Sequence, residues 1–114
     1  METATAVVAL DALAQESRLD IYRLLVKAGP QGLPAGEIAS RLSLSAPNLS
    51  FHLNQLVHAG LARRRREGRS VIYEPDFAAM TRLLSFLTEE CCSDGVCTPV
   101  SAPQAALASE ETPT

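Results

Sequence analysis

The chain has 114 residues, 46% hydrophobic and 20% charged, and carries a formal net charge of −3. That length makes one domain with a modest core. No stretch is long enough to span a membrane, no charged-then-apolar leader appears, and three cysteines clustered late do not make a secreted disulfide framework, so the expected compartment is the cytoplasm.

The acidic total argues against a nucleic-acid partner until its distribution is considered. Residues 1–60 carry four Lys/Arg against five Asp/Glu, residues 61–75 carry five against two, and residues 76–114 carry one against six. The positive charge is confined to one short stretch, and the acidic end must face elsewhere.

In chain order, residues 1–6 read as a flexible N-terminus. Val7 to Ala14 reads as a short apolar helix (Val7, Leu10, Leu13, Ala14), too small to stand alone, that packs on another element or another subunit. Ser17 is placed to cap a second helix, with Asp20 in the capping-box position. That helix runs through Leu19, Tyr22, Leu25 and Val26 to Gly29-Pro30. Gln31-Gly32 is loop, and Leu33-Pro34 opens a third helix, Pro34 to Leu42, with Ile38, Ala39 and Leu42 facing inward. Ser43-Leu44 is a tight turn into a fourth helix, so the two form a helix-turn-helix.

The fourth helix is capped by Ser45, admits Pro47 in its first turn and stops at Gly60. Leu49, Leu53, Leu56 and Val57 recur at helical spacing. Steps of 100° place Pro47, Phe51, Asn54, Gln55 and His58 opposite, with Asn48 at the edge. This outward face has no acidic residue. Against base edges, Phe51 could touch a thymine methyl and Asn48 or Asn54 could read adenine. Pro47, Asn48, Ser50, Phe51, His52, Asn54 and Gln55 are the candidate DNA-facing set.

Directly after Gly60, Glu67-Gly68 is a turn signal between an arginine-rich arm and Val71-Ile72-Tyr73, which predicts a hairpin. Arg63, Arg64, Arg65, Arg66 and Arg69 crowd it. A polar reading helix followed by a basic hairpin is the layout of a winged helix-turn-helix, mainly α with a β-hairpin wing. Arg63, Arg65, Arg66 and Arg69 are its candidate phosphate or minor-groove contacts. A fifth helix runs from Asp76 to about Glu90. Its stripe Phe77, Met80, Leu84, Leu87 and the neighbouring Leu83, Phe86 are more than a small domain can cover, which implies a second copy related by a two-fold axis. The expected division is a domain over 7–90, a cysteine-bearing segment over 91–100 and a disordered tail over 101–114.

Glu16-Ser-Arg-Leu-Asp-Ile-Tyr-Arg-Leu-Leu25, Glu37-Ile-Ala-Ser-Arg-Leu42, Leu49-Ser-Phe-His-Leu53 with Leu56 and Ala59-Gly-Leu61, and Arg65-Arg-Glu-Gly-Arg-Ser-Val-Ile-Tyr73 resemble the ArsR/SmtB family over about Leu10 to Leu87. The resemblance implies a homodimeric winged-helix repressor that leaves operator DNA on binding metal or metalloid. It also implies a dimer interface on the first and fifth helices: Val7, Leu10, Leu13, Leu83, Leu84 and Leu87. Three family features are missing. The third helix lacks the Cys-x-Cys of the best-known arsenic site, the fifth helix has Asp76 but no His for a zinc site, and Phe51 replaces the usual polar residue beside the recognition histidine.

What remains is Cys91-Cys92-Ser-Asp-Gly-Val-Cys97. Asp94-Gly95 can turn the chain so that Cys97 returns beside the pair. Three thiolates with no histidine beside them suit a thiophilic ion that takes three bonds. The expectation is As(III), with Sb(III) as a related inducer, bonded by Cys91, Cys92 and Cys97 and releasing the dimer from its operator. Zinc would want a fourth ligand. The alternatives are a thiol redox switch and a constitutive winged-helix interaction module. No paired carboxylate, phosphate loop or histidine beside a nucleophile supports an enzyme, so no catalytic residue or catalytic cofactor is expected.

Overall fold

The computed structural model describes residues 1–95; the tail over 101–114 and Cys97 lie outside the described residues. Eight elements follow in order: α1 (Thr3–Leu13), α2 (Glu16–Ala28), β1 (Leu33–Pro34), α3 (Ala35–Leu42), α4 (Ala46–His58), β2 (Ala62–Glu67), β3 (Ser70–Pro75) and α5 (Phe77–Thr88). The architecture is the winged helix-turn-helix anticipated from the patterning.

Helix α1 begins at Thr3, four residues before the expected Val7, and it packs by a different face. Ala6, Ala9 and Ala12 are buried, while Val7, Val8 and Leu10 are exposed. Alanines three apart let the helix axis approach its neighbours closely, and the bulky side chains are then turned outward. The residues 1–6 therefore contribute a buried side chain rather than a loose end. Helix α2 is capped by Gln15, whose side chain accepts from the Arg18 N–H at 3.0 Å, not by Ser17. Its Ile21 and Leu25 meet Ile38 of α3 and Leu49, Leu53 and Leu56 of α4 in the core.

Leu33-Pro34 does not open the third helix. It forms a short strand on β3, pairing Leu33 with Tyr73 and Pro34 with Ile72, and α3 starts one residue later. The approach is tight: Gly32 has φ +73°, and a Cβ there would sit 2.4 Å from the Tyr73 carbonyl oxygen. Two glycine requirements coincide, a left-handed backbone and no room for a side chain. The sheet order is β1-β3-β2, all antiparallel. In the wing, Glu67 pairs with Ser70, so Gly68-Arg69 is the two-residue turn. Gly68 has φ +61°, at the first central position where a II′ hairpin turn wants glycine.

Ser43, in the left-handed region at φ 54°, ends α3, and the Leu44 N–H closes onto the Ala39 carbonyl at 3.0 Å. This makes the sharp turn of the helix-turn-helix. Helix α4 has the expected Ser45 cap, which accepts from the Asn48 N–H at 3.4 Å, and ends before Gly60 at φ +80°. Helix α5 is capped by Asp76, which accepts from the Ala79 N–H at 3.0 Å. It stops at Thr88 rather than Glu90, because Glu89 is extended and Glu90 is left-handed at φ 60°. Among the described residues, no helix is long and apolar enough to cross a membrane.

Candidate nucleic-acid interface

Helix α4 divides as its periodicity requires. Leu49, Leu53 and Leu56 are buried, and Pro47, Asn48, Ser50, Phe51, Asn54, Gln55 and His58 are exposed. Phe51 is 57% accessible in the middle of that polar face. With no carboxylate on the helix, nothing on this surface repels a phosphate, and its amides and ring can meet base edges.

His52 departs from the outward set. It is half-buried on the flank, its Nδ1 lies 3.2 Å from Arg18 Nη1 of α2, and its ring meets Phe51 edge-on at 5.5 Å. Burial, then the Arg18 charge, lowers its pKa below the ordinary histidine value. The flank position follows from the helix angle, which sets His52 between the leucine stripe and the open face.

The wing arginines fall into two groups because a strand alternates its side chains. Arg63 and Arg65 share a face with Glu74. Arg65 Nη1 bonds Glu74 Oε1 at 2.7 Å, its Nε bonds Glu67 at 3.1 Å, and its Nη2 donates to the Gln31 carbonyl at 2.9 Å. Arg63 reaches the same Glu74 at 3.5 Å. Arg65 is thus a brace for the hairpin and for the loop before β1, correcting its expected place among the open phosphate contacts. Arg64, Arg66 and Arg69 are exposed and make no ion pair among the described residues. Arg64 and Arg66 border a groove of about 620 Å³ whose floor includes Leu49, Leu53, Val71 and Tyr73. The site residues read from the sequence omitted Arg64, although strand alternation puts it beside Arg66. They also omitted Arg18, whose contacts are tertiary.

The two end helices touch, and they leave an apolar surface. Val7, Leu10, Leu84 and Leu87 are 41–56% exposed. Two residues of the expected interface turn inward instead. Leu83 is 5% exposed in the core, and Leu13 is half-buried against it. The wide apolar arc of α5 serves both: Ala79 and Leu83 seal the monomer, and Leu84 and Leu87 remain open.

Past α5, Cys91 and Cys92 lie in a run of turns with their Sγ atoms 3.4 Å apart. Because α5 has already ended at Thr88, Cys91 does not continue its apolar stripe. Cys97, the third expected ligand, lies outside the described residues.

Comparison with known proteins agrees with this geometry. A family model described as a helix-turn-helix domain matches residues 13–65. The transcriptional activator HlyU of Vibrio cholerae is 37% identical over 90 residues, covering 79% of this chain and 81% of that protein. A protein of Halobacterium salinarum, provisionally named arsenical resistance operon repressor ArsR, is 42% identical over 60 residues, 53% of this chain and 46% of the other. Among solved structures, an ArsR-like transcriptional regulator from Rhodococcus sp. RHA1 superposes with a TM-score of 0.66 at 28% identity, covering 74% of this chain and 76% of that one. HlyU from Vibrio cholerae, in a structure described as reduced, gives 0.60 at 41% identity, covering 75% and 90%. These relatives are transcriptional regulators, and with the winged architecture and the reading helix in place, the chain belongs to the ArsR/SmtB family of winged-helix regulators.

Proposed function

We propose that the chain is a dimeric repressor that binds operator DNA through α4 and the wing and loses affinity when As(III), or Sb(III), is bonded by Cys91, Cys92 and Cys97. The observation that carries the DNA half is the acid-free exposed face of α4 beside three wing arginines that make no ion pair among the described residues. The dimer is supported by the open Val7, Leu10, Leu84 and Leu87 on adjoining helices. Two reading heads can then meet successive major grooves of a near-palindromic site.

The sensing half rests on thiol chemistry. Two sulfurs 3.4 Å apart fall within the reach of one ion, since thiolate bonds of about 2.3 Å span up to about 4.6 Å. Arsenite exchanges its three As–OH bonds for As–S bonds and releases water, with no change of oxidation state. The segment follows directly on α5, which carries the exposed Leu84 and Leu87, so an ion bonded there would act beside the dimer surface. Such an ion lowers DNA affinity only by its differential affinity for two dimer shapes, typically about 1–3 kcal/mol.

A thiol redox switch is the second reading. It is supported by the two sulfurs standing 3.4 Å apart and by the relative HlyU, which has a structure described as reduced. Anisotropy titrations of a DNA duplex selected by the wild-type protein separate the readings. Release by arsenite under reducing conditions, abolished by Cys91→Ser, Cys92→Ser or Cys97→Ser, supports the metalloid sensor. Release by peroxide, reversed by dithiothreitol, together with indifference to arsenite, replaces it with the redox switch.

A further inference from the structure

Arg18 stands where three helices meet. It occupies the first turn of α2, yet its Nε donates to the Ala12 carbonyl near the end of α1 at 2.7 Å, and its Nη1 lies 3.2 Å from His52 Nδ1 on α4. The Ala12 carbonyl is one of those a helix terminus leaves without an intrahelical donor. A guanidinium has only N–H donors and keeps its charge, so Nδ1 must be the acceptor. A neutral imidazole that accepts at Nδ1 carries its proton on Nε2. The charge of Arg18 also disfavours a second proton on the ring, in keeping with the lowered pKa.

We propose that Arg18 is a positioning residue for DNA recognition. It fixes His52 in the Nε2–H tautomer, so that the flank of α4 presents an oriented N–H donor to a DNA phosphate oxygen, and it ties α4 to α1. The phosphate is favoured by placement. Asn48, Asn54, Gln55 and Phe51 hold the open face where base edges lie, whereas His52 sits on the half-buried side of the helix. Phosphate oxygens accept only, which matches a single fixed donor. This rests on α4 being the DNA-reading helix.

Two measurements test it on the full chain. The protein has two histidines, so long-range ¹H–¹⁵N correlation of the rings resolves His52, with His58 as internal reference. His52 shows its proton on Nε2 in the wild type, and Arg18→Gln drives that pattern toward a tautomer mixture while His58 stays unchanged. Anisotropy titrations with the selected duplex then compare wild type, Arg18→Gln, His52→Gln and the double variant. Loss of a hydrogen bond to a charged group predicts about a tenfold weakening for Arg18→Gln. His52→Gln keeps an N–H donor without needing Arg18, so adding Arg18→Gln to it weakens binding less than about twofold, within the usual error of additivity. Circular dichroism confirms folding, and His52→Gln leaves the Arg18–Ala12 contact in place. A wild-type proton on Nδ1, or equal Arg18→Gln losses in both backgrounds, overturns the proposal and leaves Arg18 as a brace for α1 alone. Failure of the wild type to bind any duplex overturns the DNA reading and the proposal with it.

Discussion

Removing Arg66 and Arg69 together tests the division of the wing into recognition and bracing residues. Neither makes an ion pair among the described residues, so both are available to phosphates. Each phosphate contact adds about 0.9 to the magnitude of the negative slope of log K against log salt. Arg66→Ala with Arg69→Ala then reduces the slope by about 1.8 per subunit, or about 3.6 for a dimer with both wings engaged. Arg65→Ala behaves differently, because its guanidinium already spans Glu74, Glu67 and the Gln31 carbonyl. It leaves Glu74, only 17% exposed, with Arg63 at 3.5 Å. The expected result is a stability loss of about 1–2 kcal/mol with an almost unchanged slope. Anisotropy titrations from low to moderate salt give the slopes, and urea melts give the stabilities. An Arg65→Ala slope as shallow as that of the double variant would refute this partition, since the Arg65 ion pairs would then have to open on DNA.

Further expectations follow from the packing. Gly32→Ala meets the Tyr73 carbonyl and an unfavourable φ, so it should destabilise the chain by about 2 kcal/mol or more, read from a urea melt; a neutral result would show that β1 is not held against β3. The Tyr22 hydroxyl is buried without a hydrogen-bond partner among the described residues, and burial, then the Asp76 charge, raises its pKa above the ordinary tyrosine value of 10. The stability it confers is therefore whole below pH 10 and is lost as pH rises through the higher folded-state value. Absorbance titration of phenolate should show the Tyr22 transition above the ordinary range, and nearer to it in Asp76→Asn. Leu84→Glu with Leu87→Glu should yield a folded monomer by sedimentation, because both side chains are more than half exposed; an unchanged mass would move the dimer surface elsewhere.

The chain itself declares its local elements. The Ser45 cap, the stop at Gly60 and the leucines at 49, 53 and 56 define α4, since helix period and end chemistry are properties of neighbouring residues. Gly68 and the β-branched arm after it define the wing for the same reason. The arginine excess of residues 61–75 is equally visible in one dimension.

What periodicity cannot report is which apolar side faces which partner. On α1 the alanine stripe was chosen over Val7 and Leu10, because close helix approach rewards small side chains and leaves large ones for another surface. On α5 the same ambiguity divided Leu83 from Leu84. The two-residue β1 is too short to carry a period, and it exists only because Tyr73 and Ile72 arrive beside it. Arg18 and Arg65 became braces rather than open charges through partners 34 positions distant, His52 and Gln31. Charge and helix angle are written along the chain, whereas the partner of each charged group is settled only when the elements pack.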